Sequence, residues 1–303
     1  MTNALPIARD ARIGPFTAGR IAYGCWRFAG STPDEATAKI EAALSVGANL
    51  IDTAAIYGFG DPGFGAAEEK LGGVLKAQPG LRDQIVLVTK AGIHPPLPYD
   101  SRAENLIDSC SGSLKRLETD RIDVFLIHRP DLLASYDEVA EALTHLRAAG
   151  KIREAGVSNF TPAQTRALQS KLDFPLVVSQ PEFSAVHTDP LTDGTTDLAQ
   201  ELGLALMAWS PLAGGRLVSG QRGEPGSVEA RVLAVLDEIA SENGVGIDHA
   251  ALAWVLAHPA ASFAIIGTQS PDRIRDSVRA LDVKLSRRDW YAVLEAARGE
   301  PMP

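Results

Sequence analysis

Apolar runs and helically spaced apolar positions alternate along the whole chain. The runs at 20–25, 48–52, 85–90, 122–128, 152–157, 176–180, 204–209 and 263–266 read as strands. A parallel strand covered on both faces shows a continuous apolar or β-branched stretch rather than strict alternation. Between the runs the spacing turns helical. Ile107, Cys110, Leu114 and Leu117 step by 3, 4 and 3, and Val228, Val232, Val235, Leu236 and Ile239 behave likewise. Thr32-Pro33-Asp34-Glu35 and Thr161-Pro162-Ala163-Gln164 each offer an N-cap hydroxyl, a proline in the first turn and a capping-box partner. Ser101-Arg102-Ala103-Glu104 and Ser270-Pro271 are similar, and Ser286 opens a last helical pattern at 286–298. Eight strands alternating with helices predict an α/β fold, a (β/α)8 TIM barrel with a C-terminal helical extension. An open doubly wound sheet is the competing arrangement. No linker or low-complexity tract divides residues 1–303, so one barrel domain is expected.

Three of the runs end on an ionisable residue. Asp52 closes the second, Lys90 the third and His128 the fourth, and the steps 52 to 90 and 90 to 128 are both 38 residues. One strand with its returning helix takes about that length, and parallel strands place their carboxyl ends on one face. The three groups are therefore expected to converge there, with Tyr57 in the loop after Asp52.

Composition narrows the partners. The 303 residues are 45% hydrophobic with a net charge of −9, and no stretch is dense in Lys or Arg, which argues against nucleic acid and anionic membranes as partners. No 18-residue apolar run exists, so no membrane span is expected. The N-terminus lacks a basic segment followed by an apolar core, and no signal peptide is evident. Cys25 and Cys110 lie far apart without metal-like spacing and read as reduced thiols. A cytoplasmic location is the default expectation. The scattered histidines His94, His145, His187, His249 and His258 suggest no metal site. The Gly-rich loop 57–66 matches neither a P-loop nor a strand–G-x-G-x-x-G–helix unit. The longest irregular stretch, 212–227, follows the seventh run and is expected to form a mobile lid over the carboxyl face.

The four-residue set has a coherent chemistry. A phenol with an ordinary pKa near 10 is a poor acid or base at neutral pH. A neighbouring ammonium stabilises phenolate and lowers that pKa, and a carboxylate keeps the ammonium charged and in place. Tyr57, Lys90 and Asp52 then read as a proton donor, its tuner and the tuner's anchor. His128 adds a donor that orients a carbonyl oxygen. Such a set suits carbonyl reduction, with hydride delivered to carbon and a proton to oxygen.

Asp52-Thr-Ala-Ala-Ile-Tyr57-Gly, Thr89-Lys90-Ala-Gly, Ile127-His128-Arg-Pro-Asp131, Gly156-Val-Ser-Asn-Phe160 and Trp209-Ser-Pro-Leu-Ala-Gly-Gly215 occur in that order. From about residue 20 to 282 the chain resembles the aldo-keto reductase superfamily, and in detail a bacterial subgroup of poorly characterised oxidoreductases. The resemblance implies a barrel enzyme without metal that uses NADP(H) to reduce a small-molecule carbonyl substrate, working as a monomer. Asp52, Tyr57, Lys90 and His128 match its catalytic tetrad. Ser158, Asn159 and Gln180 match its nicotinamide-carboxamide contacts, and Trp209 the ring that stacks on the nicotinamide. Ser210, Leu212 and Gly214 fall where the family's loop crosses the pyrophosphate. Gly267, Thr268, Gln269, Ser270 and Arg273 resemble the segment for the adenosine 2′-phosphate. Two departures stand out. No Lys or Arg accompanies Gly267, and Asp276-Ser277 replaces the Glu/Gln-Asn pair used for adenine, so NADPH is expected to be preferred by a smaller margin than in relatives with the extra cation. Cys25, Trp26 and Phe59 are candidates for the substrate pocket.

Two other functions remain open at this level. Relatives of the superfamily include non-catalytic NADP(H)-binding sensor or channel-like subunits. An unrelated barrel would use Lys90 as a Schiff-base nucleophile, which needs a desolvated amine of lowered pKa. Asp52 beside it works against that.

Overall fold

In the computed structural model, which describes residues 4–218 and 220–303, the eight expected strands are all present. The chain opens with an antiparallel hairpin, β1 (Asp10–Ile13) and β2 (Phe16–Gly19), paired from Asp10↔Gly19 to Ile13↔Phe16. The barrel strands follow as β3 (Ile21–Gly24), β4 (Leu50–Asp52), β5 (Val86–Ala91), β6 (Ile122–Ile127), β7 (Ile152–Ser158), β8 (Val178–Gln180), β9 (Ala205–Ala208) and β10 (Ala261–Ile266). All pair in parallel, and β10 closes on β3, so the barrel is complete and has no open edge.

The helices between them are α1 (Pro33–Ser45), α2 (Ala66–Ala77), α3 (Ala103–Arg116), α4 (Tyr136–Ala148), α5 (Pro162–Gln169), α6 (Thr195–Leu202), α7 (Val228–Asn243) and α8 (Ile247–Leu256). After β10 come α9 (Pro271–Asp276) and α10 (Arg287–Arg298). Thr32 and Thr161 form the expected capping boxes with Glu35 and Gln164, and Ser286 caps α10. The expected cap at Ser101 is not formed. α3 starts one residue later behind Arg102, with no side-chain cap, because the Ser101 amide is drawn to Asp131 Oδ2 at 2.9 Å.

The core has an inner and an outer shell. Inside the barrel, Leu50, Val86, Val88, Val124, Leu126, Val178, Met207 and Phe263 pack together, and Ile13 and Ala18 of the hairpin plug this cluster from the amino-terminal end. Outside, the helices bury their apolar stripes against the strands. α10 is fastened to α8 by a pair of tryptophans: Trp254 and Trp290 stack at 5.1 Å, and each indole N–H donates to the other's backbone carbonyl, at 2.9 and 3.0 Å. This outer seal leaves the carboxyl ends of the strands as the end on which loops diverge.

Candidate active site

The carboxyl ends of β4, β5 and β6 carry Asp52, Lys90 and His128, as their spacing predicts. The strand pairing sets Asp52 opposite Val88 and Lys90 opposite Leu126, so the three side chains rise side by side from neighbouring strands. Lys90 is fully buried, and its Nζ donates to Asp52 Oδ2 at 2.7 Å, to the Thr53 carbonyl at 2.8 Å and to Tyr57 Oη at 3.0 Å. An ammonium has three N–H bonds, and all three are spent in fixed directions. Burial alone would lower the Lys90 pKa, but Asp52 and then Tyr57 outweigh it and hold the ammonium above its ordinary range. A Schiff-base lysine needs the opposite shift.

Tyr57 is brought over the ammonium by the turn after β4, in which its amide donates to Ala54. Burial pushes its phenol above the ordinary value, and Lys90 draws it back only part of the way. The sequence predicts a lowered phenol, and the net direction here is upward. For so deeply buried a side chain, the cost of burying phenolate exceeds what one ammonium shared with a carboxylate returns. The His128 ring lies 5.8 Å from the Tyr57 ring, nearly edge-on. Burial, then the charges of Lys90 and Arg129, press the imidazole well below its ordinary range, so it is neutral at neutral pH. His128 Nδ1 is buried without a hydrogen-bond partner among the described residues. A buried lone pair is less costly there than a buried N–H, which favours the tautomer with its proton on Nε2.

A chain of hydrogen bonds ties these groups to the next strands. Gln180, at the end of β8, donates from Nε2 to the free carboxylate oxygen of Asp52 at 2.9 Å. Ser158 Oγ donates to the Gln180 carbonyl at 3.0 Å, and Asn159 Nδ2 lies 2.9 Å from Ser158 Oγ and 3.0 Å from the His128 carbonyl. Trp209 Nε1 donates to Asn159 Oδ1 at 3.0 Å. Asn159 holds a left-handed backbone (φ 60°), a conformation its short amide tolerates. The half-buried Trp209 thus stands at one end of a network that finishes on Tyr57.

Beyond Trp209 the backbone is open. Ser210, Ala213, Gly214 and Gly215 all have positive φ, and a Cβ placed on Gly214, Gly215 or Gly267 meets no atom within 4 Å. Leu212 packs its half-buried side chain on the core, and a short 3-10 turn occupies Ala213–Gly215. Ser219, within the 212–227 segment expected to form a lid, lies outside the described residues. The segment after β10 folds into a six-residue helix capped by Ser270 on the Arg273 amide at 3.4 Å. Arg273 is exposed and forms no ion pair among the described residues. Thr268 Oγ1 accepts from the Ser270 amide, and Gln269 Oε1 accepts from Lys39 Nζ at 2.9 Å. Of the pair expected at the adenine, Ser277 is buried with its hydroxyl on the Ile274 carbonyl, while Asp276 is exposed and pairs with His249 at 3.0 Å and with Arg279.

Tyr57 borders a cavity of about 400 Å³ lined by Trp26, Arg27, Ile56, Phe59 and Asp61 among others. Trp26 and Phe59 are the exposed aromatics of this mouth, with the Trp26 ring 5.1 Å from that of Tyr57. Cys25 does not line it. The residue is fully buried in the cluster that holds Tyr23, Phe28 and Ile51, and its amide donates to the Asp52 carbonyl at 2.8 Å. Burial also pushes its thiol far above its ordinary pKa, which makes it inert packing. Sequence reasoning missed the Thr53 carbonyl and Lys39. A backbone acceptor leaves no signal in composition. Lys39 did leave one, since it falls on the apolar stripe Ala36, Ile40 and Ala43 of α1.

Residues 20–298 match the model of the aldo/keto reductase family, and the chain belongs to that family. A protein of Novosphingobium aromaticivorans called 6-dehydroglucose reductase is 49% identical over 286 residues, which cover 93% of each chain. Oxidoreductase YdhF of Escherichia coli K12 is 39% identical, with 94% of this chain and 95% of that one covered. The structure of glycerol dehydrogenase AKR11B4 from Gluconobacter oxydans superposes with a TM-score of 0.84 at 27% identity, covering 97% of both chains. The kinship supports oxidoreductase chemistry in general and sets the chain within a bacterial subgroup of this family.

Proposed function

We propose that this protein is an NADP(H)-dependent reductase of an aldehyde or ketone, with Tyr57 as the general acid. The observation that carries the reading is the Lys90 ammonium, whose three N–H bonds are committed to Asp52, the Thr53 carbonyl and the Tyr57 hydroxyl at the edge of a cavity. The residues present suit a dinucleotide. Trp209 offers a flat face, Ser158, Asn159 and Gln180 offer amide-matching donors and acceptors, and the backbone at Gly214, Gly215 and Gly267 is open to close approach. Reduced nicotinamide held there supplies the hydride.

The chain's own part is to bind and polarise the carbonyl and to deliver a proton. A carbonyl oxygen between Tyr57 Oη and neutral His128 receives hydrogen bonds from both. As negative charge grows on that oxygen, the phenol transfers its proton. Lys90 stabilises the phenolate left behind, through a hydrogen bond already formed and without reorganisation. Asp52 keeps the ammonium charged, and Gln180 keeps Asp52 oriented. In the reverse direction the same phenolate serves as the base.

For the substrate, the 49% relative's name supplies the first compound to test, 6-dehydroglucose. The cavity mouth suits a sugar: Trp26 and Phe59 give apolar faces, and Arg27 and Asp61 give polar groups at their rim. The experiment is a panel of sugar carbonyls and simple aldehydes with NADPH and NADH, followed by loss of reduced-nicotinamide absorbance. Turnover of 6-dehydroglucose with NADPH at the highest kcat/KM is the expected result. Cofactor binding without turnover on any carbonyl would instead mark the protein as a sensor subunit.

A further inference from the structure

Among the described residues, Lys39 is a buried lysine without a carboxylate in ion-pair contact. Its side chain leaves the seventh position of α1 and is 6% exposed. Nζ donates to Ser31 Oγ at 2.7 Å and to Gln269 Oε1 at 2.9 Å, and stands 6.0 Å from the centre of the Phe28 ring. Ser31 belongs to the loop after β3 and Gln269 to the loop after β10, so the ammonium sits at the seam where the barrel closes. Glu35, one turn earlier, has its carboxylate on the Thr32 amide and forms no ion pair with it. Other buried charges have their donors and acceptors filled. Lys90 has Asp52, Glu68 has Arg116 and Asp123 has Arg82. Arg20 is satisfied by the carbonyls of Leu256, Ala261 and Ser262.

An uncompensated buried ammonium is costly, and an apolar residue would serve packing on that stripe of α1 better. Two of the three Lys39 N–H bonds go to neutral acceptors, which leaves one donor and the whole charge for an anion. Its partner Gln269 belongs to the segment that also carries Thr268, the open backbone at Gly267 and the exposed guanidinium of Arg273, which has no ion pair among the described residues. We propose that Lys39 is the cation that recognises the 2′-phosphate of NADP(H), supplying from α1 the charge that the loop after β10 lacks beside Gly267. The inference rests on the NADP(H) reading above. Gln269, bridging Lys39 and the Gly267 carbonyl, shapes the loop around that phosphate.

The test is equilibrium binding, read by quenching of tryptophan fluorescence, with NADPH, NADH and adenosine 2′,5′-bisphosphate as titrants. Lys39→Met is expected to weaken NADPH and the bisphosphate by about tenfold to a hundredfold, the range for a charge-assisted hydrogen bond, and to leave NADH within about twofold. Ser31→Asp places a carboxylate on the same ammonium without removing it, and is expected to reproduce the selective loss. Thermal unfolding of both variants, in which the uncompensated charge is gone, should occur at or above the wild-type temperature. If Lys39→Met fails to fold, the Ser31→Asp titration decides alone. Unchanged NADPH affinity, or equal loss for NADPH and NADH, overturns the assignment while the cofactor reading stands. Wild-type protein that binds NADH more tightly than NADPH overturns both.

Discussion

The two ends of the barrel each hold a buried carboxylate paired with a cation, and they use it differently. At the amino-terminal end, Asp123 receives Arg82 and the Leu87 amide, both at 2.8 Å, with Arg153 at 3.9 Å. The remaining Arg82 donors go to Thr119 and to the carbonyls of Ile85 and Arg121. The hairpin β1–β2 plugs this end beside a cavity of about 280 Å³ lined by Thr17, Arg82, Asp123 and Arg153, and Arg20 is satisfied by three carbonyls there. At the carboxyl end, Asp52 holds Lys90 as tightly, but the third lysine proton goes to a phenol beside an open cavity. Thr53 Oγ1, Ser101 Oγ and His128 Nδ1 are buried there without partners among the described residues. Buried polar atoms are nearly always satisfied, so orphaned atoms gathered at one end mark it as the end built for something other than stability.

This contrast is open to breaking. The largest effect belongs to the amino-terminal end. Asp123→Ala removes a buried carboxylate and leaves the half-buried Arg82 without its ion-pair partner, and is expected to cost about 3 kcal/mol in denaturant unfolding, with kcat per folded molecule unchanged. A large loss of kcat with stability intact would erase the division of labour.

Lys90→Met sharpens the other side. Removing the ammonium deletes the influence that lowers the Tyr57 pKa, so the phenol rises further above its already raised value. In alcohol oxidation, where phenolate is the base, the rate profile then moves to higher pH, with a loss of at least about tenfold at neutral pH. In carbonyl reduction the protonated phenol is the active form, so the plateau extends upward and does not narrow. His128, held below its ordinary range, adds no limb near neutrality in either direction. A profile that stays in place when chemistry is rate-limiting would reduce Lys90 to a structural ion pair like that of Asp123.

A cofactor-selective effect is expected at the rim. Arg273→Ala should weaken NADPH by about 1.5–3 kcal/mol, measured by fluorescence titration, and barely affect NADH. Equal losses would remove Arg273 from phosphate recognition.

The barrel was legible because its strands are covered on both faces, which leaves runs such as Val86-Leu87-Val88 in plain view. The hairpin β1–β2 was not: its strands are short, half exposed and joined through Gly14-Pro15, so neither a run nor a clean alternation survives. Asp52, Lys90 and His128 were legible because each interrupts an apolar run at the strand end. What the sequence could not show is how charges are shared. The Thr53 carbonyl takes one lysine proton, burial outweighs Lys90 at Tyr57, and Ser277 spends its hydroxyl inside its own helix. The pocket that Ser31 and Gln269 form around Lys39 depends on two loops distant in sequence, which only the closed barrel brings together.

The central claim is that Tyr57 delivers the proton at the carboxyl end of the barrel. Rapid-mixing kinetics of NADPH oxidation with the best carbonyl from the panel, comparing wild type with Tyr57→Phe, tests it directly. The account predicts a fall in the hydride-transfer step of at least about a hundredfold, with NADPH affinity and unfolding temperature nearly unchanged. A Tyr57→Phe enzyme that transfers hydride at the wild-type rate would contradict it.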